Sequence, residues 1–492
     1  MLFNSYLFIF VFLPIVLAGA VLLSRIARRD ALLVWLLLSS FVFYAHWNAN
    51  FLILLIGSIV INYVLAQRIR AAGSTRVGGR LLLLGIAGNL ATIAYFKYAN
   101  FFLENVSQVT GSAFEWTRIV LPIAISFFTF QQIAYLVDSR RGQVQPHRFI
   151  EYALFVAFFP QLIAGPIVHH SEMLGQLKRL AGPRAANIAI GATIFVIGLS
   201  KKVLIADPLG SFGGPVFAAA DAGAPISFLA AWAGALSFTF QLYFDFSGYS
   251  DMAIGLARLF GVRLPLNFAS PYKATSIIEF WRTWHITLSR FLRDYLYFPL
   301  GGNRRGPARR YINLLITMLL GGLWHGAGWG FILWGGLHGI FLIVNHAWRK
   351  LRGGRSVETA YGRLACWALS FLAVIFAWVF FRADTTDGAF TIVTAMIAVD
   401  TATSLATDGL TFGWEQAGYL GVAAVIALGL PNTQELMSKY RPALNFNRYA
   451  TGPALLALRW RPSLVWGLAF VATLVLGIFA IAEPTEFLYF EF

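Results

Sequence analysis

The sequence predicts an all-α polytopic membrane protein, and three observations carry that prediction. Of 492 residues, 58% are hydrophobic, and the mean hydropathy is +0.68. Charged residues make up 12%, against roughly 25% in soluble domains. Apolar runs reach the ~20 residues that a helix needs to cross a bilayer. They do not alternate, as the ~10-residue strands of a membrane β-barrel would.

The expected spans run in order. The first five cover about 6–24, 31–47, 50–66, 81–98 and 119–137. Basic residues follow alternate spans: Arg25, Arg28 and Arg29, then Arg68, Arg70, Arg76 and Arg80, then Arg140, Arg141 and Arg148. The loop 99–118 carries Glu104 and Glu115 with Arg118 as its one base. Cytoplasmic loops favour Lys and Arg, so this alternation puts the N-terminus outside and the three basic loops in the cytoplasm. The first residues, Met1-Leu-Phe-Asn-Ser-Tyr-Leu-Phe, lack a basic n-region and a small-residue cleavage site, so they read as a retained first span.

Past residue 148 the pattern loosens. Segments at about 150–167, 186–206 and 226–246 are interrupted by Pro160, Gly165, Pro166 and Lys201-Lys202, and residues 250–300 hold no clean apolar run. Broken helices are tolerated at membrane depth where they line a cavity or pack within protein, so a cavity is expected here. Spans resume at about 311–325, 328–347, 362–382, 414–430 and 464–483, and the polar stretch 384–413 reads as an exterior loop with a short helix. The expected total is about 11 spans.

The net charge is +16, from 38 Lys and Arg against 22 Asp and Glu. The basic residues lie in short loops rather than on a polar domain, which argues against nucleic-acid binding. Two readings fit them: the cytoplasmic bias just described, and a basic mouth that attracts a polyanionic cosubstrate. Arginines number 31 and lysines 7. The planar guanidinium suits phosphate, although codon bias gives the same count. The single cysteine, Cys366, rules out disulfides and Cys-based metal sites within one chain.

The most informative residues are His285, in Glu279-Phe-Trp-Arg-Thr-Trp-His285-Ile-Thr-Leu-Ser-Arg290, and His325, in Gly321-Gly-Leu-Trp-His325-Gly. A titratable side chain at membrane depth is costly and marks a functional site by default. Histidine also exchanges protons near neutral pH. His325 reads either as a general base or as a hydrogen-bonding link between packed helices. His338 competes for the first role and is taken as structural, while His46, His147, His169, His170 and His346 lie near segment ends. At helical spacing, Trp281, Trp284, Leu288, Phe291, Leu292 and Tyr295 make an aromatic stripe, with Arg282, Arg290 and Arg293 elsewhere on the wheel. Residues 274–300 therefore read as one amphipathic helix, either an interfacial anchor or a wall of the site with arginines toward a phosphorylated donor.

The loop Gly301-Gly-Asn-Arg304-Arg305-Gly-Pro-Ala-Arg309-Arg310 lacks the P-loop pattern. It reads as a turn, with phosphate contact by Arg304 or Arg305 as the alternative. There is no His-Glu-x-x-His and no His/Cys cluster, and His169-His170 is a bare pair, so no metal site is expected. Nor is there a Gly-x-Ser-x-Gly elbow.

With these motifs in view, the chain resembles the membrane-bound O-acyltransferase (MBOAT) family, and within it the bacterial branch of alginate O-acetylation membrane proteins. The resemblance covers nearly the whole chain in order. It rests on Leu121-Pro-Ile-Ala-Ile-Ser-Phe-Phe-Thr-Phe-Gln131, Phe158-Phe-Pro-Gln-Leu-Ile-Ala-Gly-Pro166, Gly198-Leu-Ser-Lys-Lys-Val-Leu-Ile-Ala-Asp207 and Gln241-Leu-Tyr-Phe-Asp-Phe-Ser-Gly-Tyr-Ser-Asp251. Its strongest pieces are Phe280-Trp-Arg-Thr-Trp-His285 through Gly301-Gly-Asn303, and Gly322-Leu-Trp-His-Gly326.

The resemblance implies a ring of helices with re-entrant segments around a central tunnel, in one domain over 1–492. Regular spans would occupy 1–148, the core with both histidines 149–347, and C-terminal spans 348–492. It implies His325 as catalytic base and His285 as a second essential group. It implies acetyl-CoA as cosubstrate, with no permanently bound cofactor, its phosphates near Arg282, Arg290 or Arg304. It also implies a bacterial inner-membrane location, an extracytoplasmic acetyltransferase partner, and O-acetylation of a polysaccharide such as alginate. Three rivals remain: D-alanyl transfer to teichoic acid, fatty-acyl transfer to a protein, and a glycan or lipid transporter. A transporter would show internal repeats or charged spans. No repeat stands out, although Asp245, Asp251 and Lys201-Lys202 lie in or near apolar segments, where the acids either pair with a lysine, line the tunnel or simply pack.

Overall fold

The computed structural model describes residues 1–26, 29–111, 116–353, 359–398, 413–449, 458–481 and 487–488. Among them the regular structure is helical, with one isolated bridge between Pro265 and Leu444. A helix satisfies its own backbone polar groups, which the membrane interior demands. Six helical runs are long and apolar enough to cross a membrane: Phe8–Ile26, Ala49–Ala72, Arg76–Thr110, Ala185–Asp221, Trp329–Leu351 and Ala360–Arg382. The chain is a multi-pass membrane protein. Several other expected spans are shorter or divided. Ile125–Arg140 and Leu464–Phe479 have 16 residues each, and 150–167 splits into Phe149–Ala157 and Phe159–Leu162. Length and apolarity alone thus pick out six helices able to cross among the described residues.

Local chemistry sets the helix ends. Asn48, Thr75, Ser227, Thr359 and Ser463 each accept a hydrogen bond from a first-turn amide. Gly73, at φ +54°, closes Ala49–Ala72 in a conformation that other residues rarely adopt. The interruption expected at Lys201-Lys202 is absent. The helix Ala185–Asp221 runs through Lys201-Lys202 by way of a π turn at Lys201–Ala206. Residues 226–246 belong to an unbroken 32-residue helix, Phe228–Leu259. The polar stretch 384–413 begins with the helix Thr386–Ile397. Its remainder over 399–412 lies outside the described residues, as do Arg28 and Glu115.

These two long helices pack face to face, and ion pairs join them. Lys201 Nζ lies 2.6 Å from Asp251, and Lys202 Nζ lies 2.6 Å from Asp245 and 2.8 Å from Asp207. Both acids singled out in the sequence are therefore paired with the adjacent lysines, as buried charges require. Small residues permit the close approach. A Cβ on Gly198 would sit 2.6 Å from the Gly248 carbonyl oxygen, and one on Gly248 would sit 2.7 Å from the Gly198 oxygen.

Segment 274–300 departs most from expectation. It is two short helices, Ile277–Thr283 and Ile286–Leu292, followed by a π turn at Arg293–Tyr297. The break falls at Trp284-His285, where His285 takes φ +40°. An extended stretch docks there: Ala269 N–H donates to the Thr283 carbonyl (3.0 Å), and Ile286 N–H donates to the Asn267 carbonyl (2.9 Å). These bonds replace the helical ones lost at the break. The stripe accordingly faces the interior. Trp281, Trp284, Leu288, Phe291 and Leu292 are buried, with Trp284 4.9 Å from the Trp378 ring and 5.5 Å from that of Phe280.

The three basic loops gather on one face. Arg148 makes two hydrogen bonds to Asp30 (2.7 and 2.8 Å), Arg29 reaches Glu151 at 3.0 Å, and Arg140 reaches the carbonyls of Gly73 and Thr75.

The helix contact yields a test. Gly248→Val should force the two long helices apart, at a cost of about 1–3 kcal/mol. A lower melting temperature in detergent is expected. Gly79→Val should leave it unchanged, because a Cβ there meets nothing within 4 Å.

Candidate active site

His325 is the last residue of the helix Gly306–His325, which stops where Gly326 turns extended. A helix end leaves four carbonyls without intrahelical partners. Here Lys97 Nζ donates to the carbonyls of Trp324 (2.6 Å) and His325 (3.0 Å) and to Ser126 Oγ (3.4 Å). Three acceptors match the three donors of an ammonium. Tyr98 Oη donates to the Leu323 carbonyl at 2.7 Å. Both residues come from a π turn, Ala94–Tyr98, inside the run Arg76–Thr110. Sequence reasoning passed over Lys97, although a lysine inside an expected span is itself a signal.

The break at His285 brings that residue against His325. The two rings are 6.4 Å apart between centroids, and both side chains are buried, at 1% and 4% exposure. His325 is walled by Trp334 and Trp324, both 5.0 Å away, and by Phe381 at 5.4 Å. The His285 ring meets Phe246 edge-on at 4.8 Å, and its Nδ1 lies 3.0 Å from Asn267 Oδ1. His338 is also buried. It accepts a hydrogen bond from Trp281 Nε1 (3.2 Å) and stacks on Phe280 at 5.8 Å, inside aromatic packing.

A cavity of about 1010 Å³ approaches the pair. Arg282, Arg290, Arg293, Arg310, Arg448 and His346 give it a basic lining. Arg290 is held by Glu172 at 2.6 and 2.8 Å, and Arg293 by Asp294 at 2.7 Å. Among the described residues, Arg282, Arg310 and Arg448 form no ion pair. Arg304 is exposed and does not line the cavity, whereas its neighbour Asn303 does. Arg310, Arg448 and His346 are lining residues that sequence reasoning did not select. Thr283, Ile286 and Thr287, which flank His285, reach the cavity, as do Thr317 and Met318 on the His325 helix. At 1.5 Å per residue, Met318 stands about 10 Å before His325.

On the same side, His169 and His170 meet a residue far away in sequence. Their Nε2 atoms lie 2.8 and 3.0 Å from Asp138 Oδ2, and Tyr295 Oη donates to that same oxygen at 2.5 Å. The three ligand-type atoms lie within 4.8 Å of one another, so this group could hold a metal ion. As placed, its ring nitrogens are engaged with the carboxylate. The grouping was not legible as a bare His-His pair.

The helical, membrane-spanning fold agrees with what the chain is similar to. The chain belongs to the MBOAT, membrane-bound O-acyltransferase, family, whose model matches residues 72–382. It is an acyltransferase. It is 46% identical over 428 residues to a peptidoglycan O-acetyltransferase of Helicobacter pylori, covering 81% of this chain and 80% of that one. It is 44% identical over 407 residues to a probable alginate O-acetylase AlgI of Pseudomonas aeruginosa, covering 82% and 76%. A teichoic acid D-alanyltransferase of Streptococcus thermophilus is 29% identical over 240 residues, covering 46% and 57%.

Lys97→Met removes charge-assisted hydrogen bonds worth about 1.5–3 kcal/mol each. The expected result is a lower melting temperature in detergent together with at least a tenfold loss of acyl transfer, because the end of the His325 helix loses its fastening. A Lys97→Met protein with wild-type stability and rate would show that fastening to be dispensable.

Proposed function

We propose that this protein moves an acetyl group from cytoplasmic acetyl-CoA across the bacterial inner membrane for O-acetylation of an extracytoplasmic polysaccharide. One observation carries the reading: two buried histidines 6.4 Å apart, one of which ends a helix whose earlier turns line an arginine-rich cavity. The names of the relatives at 44–46% identity support acetyl as the group and a cell-surface glycan as the acceptor. The basic lining supports a phosphorylated donor, since guanidinium groups match phosphate oxygens in geometry and charge.

In this mechanism Arg282, Arg290 and Arg310 receive the donor's phosphates, with Arg304 near the entrance. The thioester extends toward His325. His325 takes the proton of the acceptor hydroxyl as its oxygen attacks the thioester carbonyl, and the imidazolium returns that proton to the departing CoA sulfur. His285 either hydrogen-bonds the carbonyl oxygen or orients the acceptor. The aromatic walls exclude bulk water, which protects the thioester from hydrolysis. The N-terminus lies outside, and a separate extracytoplasmic acetyltransferase completes transfer to the polymer.

The test is the O-acetyl content of surface polysaccharide and of peptidoglycan, by NMR, in a deletion strain complemented at matched membrane levels. Wild type should restore acetylation in one of the two polymers. His325→Ala should not, because a general base contributes roughly 10²–10⁴ in rate. Full restoration by His325→Ala would remove it from the base role. Loss of the whole polymer on deletion would favour a transporter.

A charge reversal, Arg282→Glu with Arg310→Glu, should raise the KM for acetyl-CoA at least tenfold in membranes while leaving the melting temperature within a few degrees. An unchanged KM would place the donor elsewhere.

A further inference from the structure

Asn267 lies at the centre of the hydrogen bonds around His285. It is fully buried, and its Oδ1 faces three groups: Thr287 N–H (3.3 Å), Thr287 Oγ1 (2.9 Å) and His285 Nδ1 (3.0 Å). Its Nδ2 donates to Ser250 Oγ at 3.2 Å. These contacts settle where the protons are. A backbone N–H can only donate, so the atom facing Thr287 N–H is the amide oxygen. The Thr287 hydroxyl oxygen accepts from Ile167 N–H at 3.0 Å, which leaves its own proton for Asn267. The oxygen therefore acts as acceptor toward every neighbour, and the His285 nitrogen facing it must carry a hydrogen.

We propose that Asn267 is a positioning residue that holds His285 as the Nδ1–H tautomer, leaving Nε2 as the basic nitrogen of that ring. The proposal rests on the paired-histidine reading given above and decides between the two roles left open there. A neutral imidazole with a basic Nε2 accepts a hydrogen bond. His285 thus orients the acceptor hydroxyl, or the imidazole of His325, rather than donating to the thioester carbonyl. The backbone supports the same end. At φ +40° His285 is held in a conformation that a non-glycine residue adopts only under constraint. The bond from Ile286 N–H to the Asn267 carbonyl (2.9 Å) supplies part of that constraint. Asn267 thereby fixes both the ring's position and its tautomer, as the partner of a catalytic histidine does in other acyl-transfer sites.

The experiment compares Asn267→Ala, Asn267→Asp and Ser250→Ala with His285→Ala and His325→Ala. The readout is acetyl incorporation from labelled acetyl-CoA in permeabilised membrane vesicles, with melting temperatures measured in detergent. A carboxylate at 267 keeps the acceptor and loses the amide donor, and Ser250→Ala removes the outward link alone. The expected pattern is a fall of about 10²-fold in kcat for Asn267→Ala, with the KM for acetyl-CoA within about threefold. Asn267→Asp and Ser250→Ala should each keep at least a tenth of wild-type kcat. A folded Asn267→Asp as inactive as Asn267→Ala overturns the proposal, and so does a fully active Asn267→Ala. An Asn267→Asp protein without a cooperative melt also counts against it, because the acceptor oxygen is held to be sufficient. If both histidine variants keep wild-type rates, the paired-histidine reading fails. If they lose activity while Asn267→Ala does not, the tautomer assignment alone fails.

Discussion

The grip of Lys97 on the last carbonyls of Gly306–His325 is the contact on which the site depends. A helix end at membrane depth has no water to satisfy its carbonyls. Ending the His325 helix inside the protein therefore required donors from another segment. Lys97 and Tyr98 supply them across 227 and 225 residues of sequence. A π turn, Ala94–Tyr98, presents both residues, and such turns are frequent at functional sites. The His285 side is built in the same way. A broken helix is stable there because Asn267 and Ala269 take up the backbone groups that the break releases.

Charge is distributed as one-sidedly as the helices. The loops bearing Arg29, Arg140 and Arg148 are tied together, and the Asp138 group links the end of that cluster to Tyr295 beside the arginine-lined cavity. Arg290 lines this cavity and a smaller one of about 150 Å³, and its pairing with Glu172 forms part of the wall between them. The deep interior is satisfied differently. There each lysine of the 201-202 pair has its own carboxylate. Guanidinium groups, some of them ion-paired, thus line the cavity, whereas the lysine–carboxylate pairs lie where they hold helices together.

Much of this was legible in the sequence. The helical class followed from long apolar runs, and the histidine pair from its cost at membrane depth. The clustered basic loops followed from their alternation with spans. Other features were not. The stripe from Trp281 to Tyr295 has good helical spacing, yet the chain breaks within it because a docked extended segment competes for its backbone bonds. Helical periodicity records which residues share a face and carries no information about a competing partner. Likewise His169-His170 gained a meaning only beside Asp138. Arg304 and Arg310 look equivalent in a basic loop, but only Arg310 lines the cavity.

The sequence by itself determined that this chain is helical, membrane-embedded and basic at its loops, and that His285 and His325 are its exceptional residues. These are local properties, set by composition, run length and the cost of a polar group in hydrocarbon. Only the tertiary structure decided that the two histidines lie side by side, that Lys97 meets the end of the His325 helix and Asn267 meets His285, and that arginines from separate segments line one cavity. Each of those results joins groups from separate segments. The partner that a buried polar group finds depends on how helices pack, and that packing is not written in any one window of the chain.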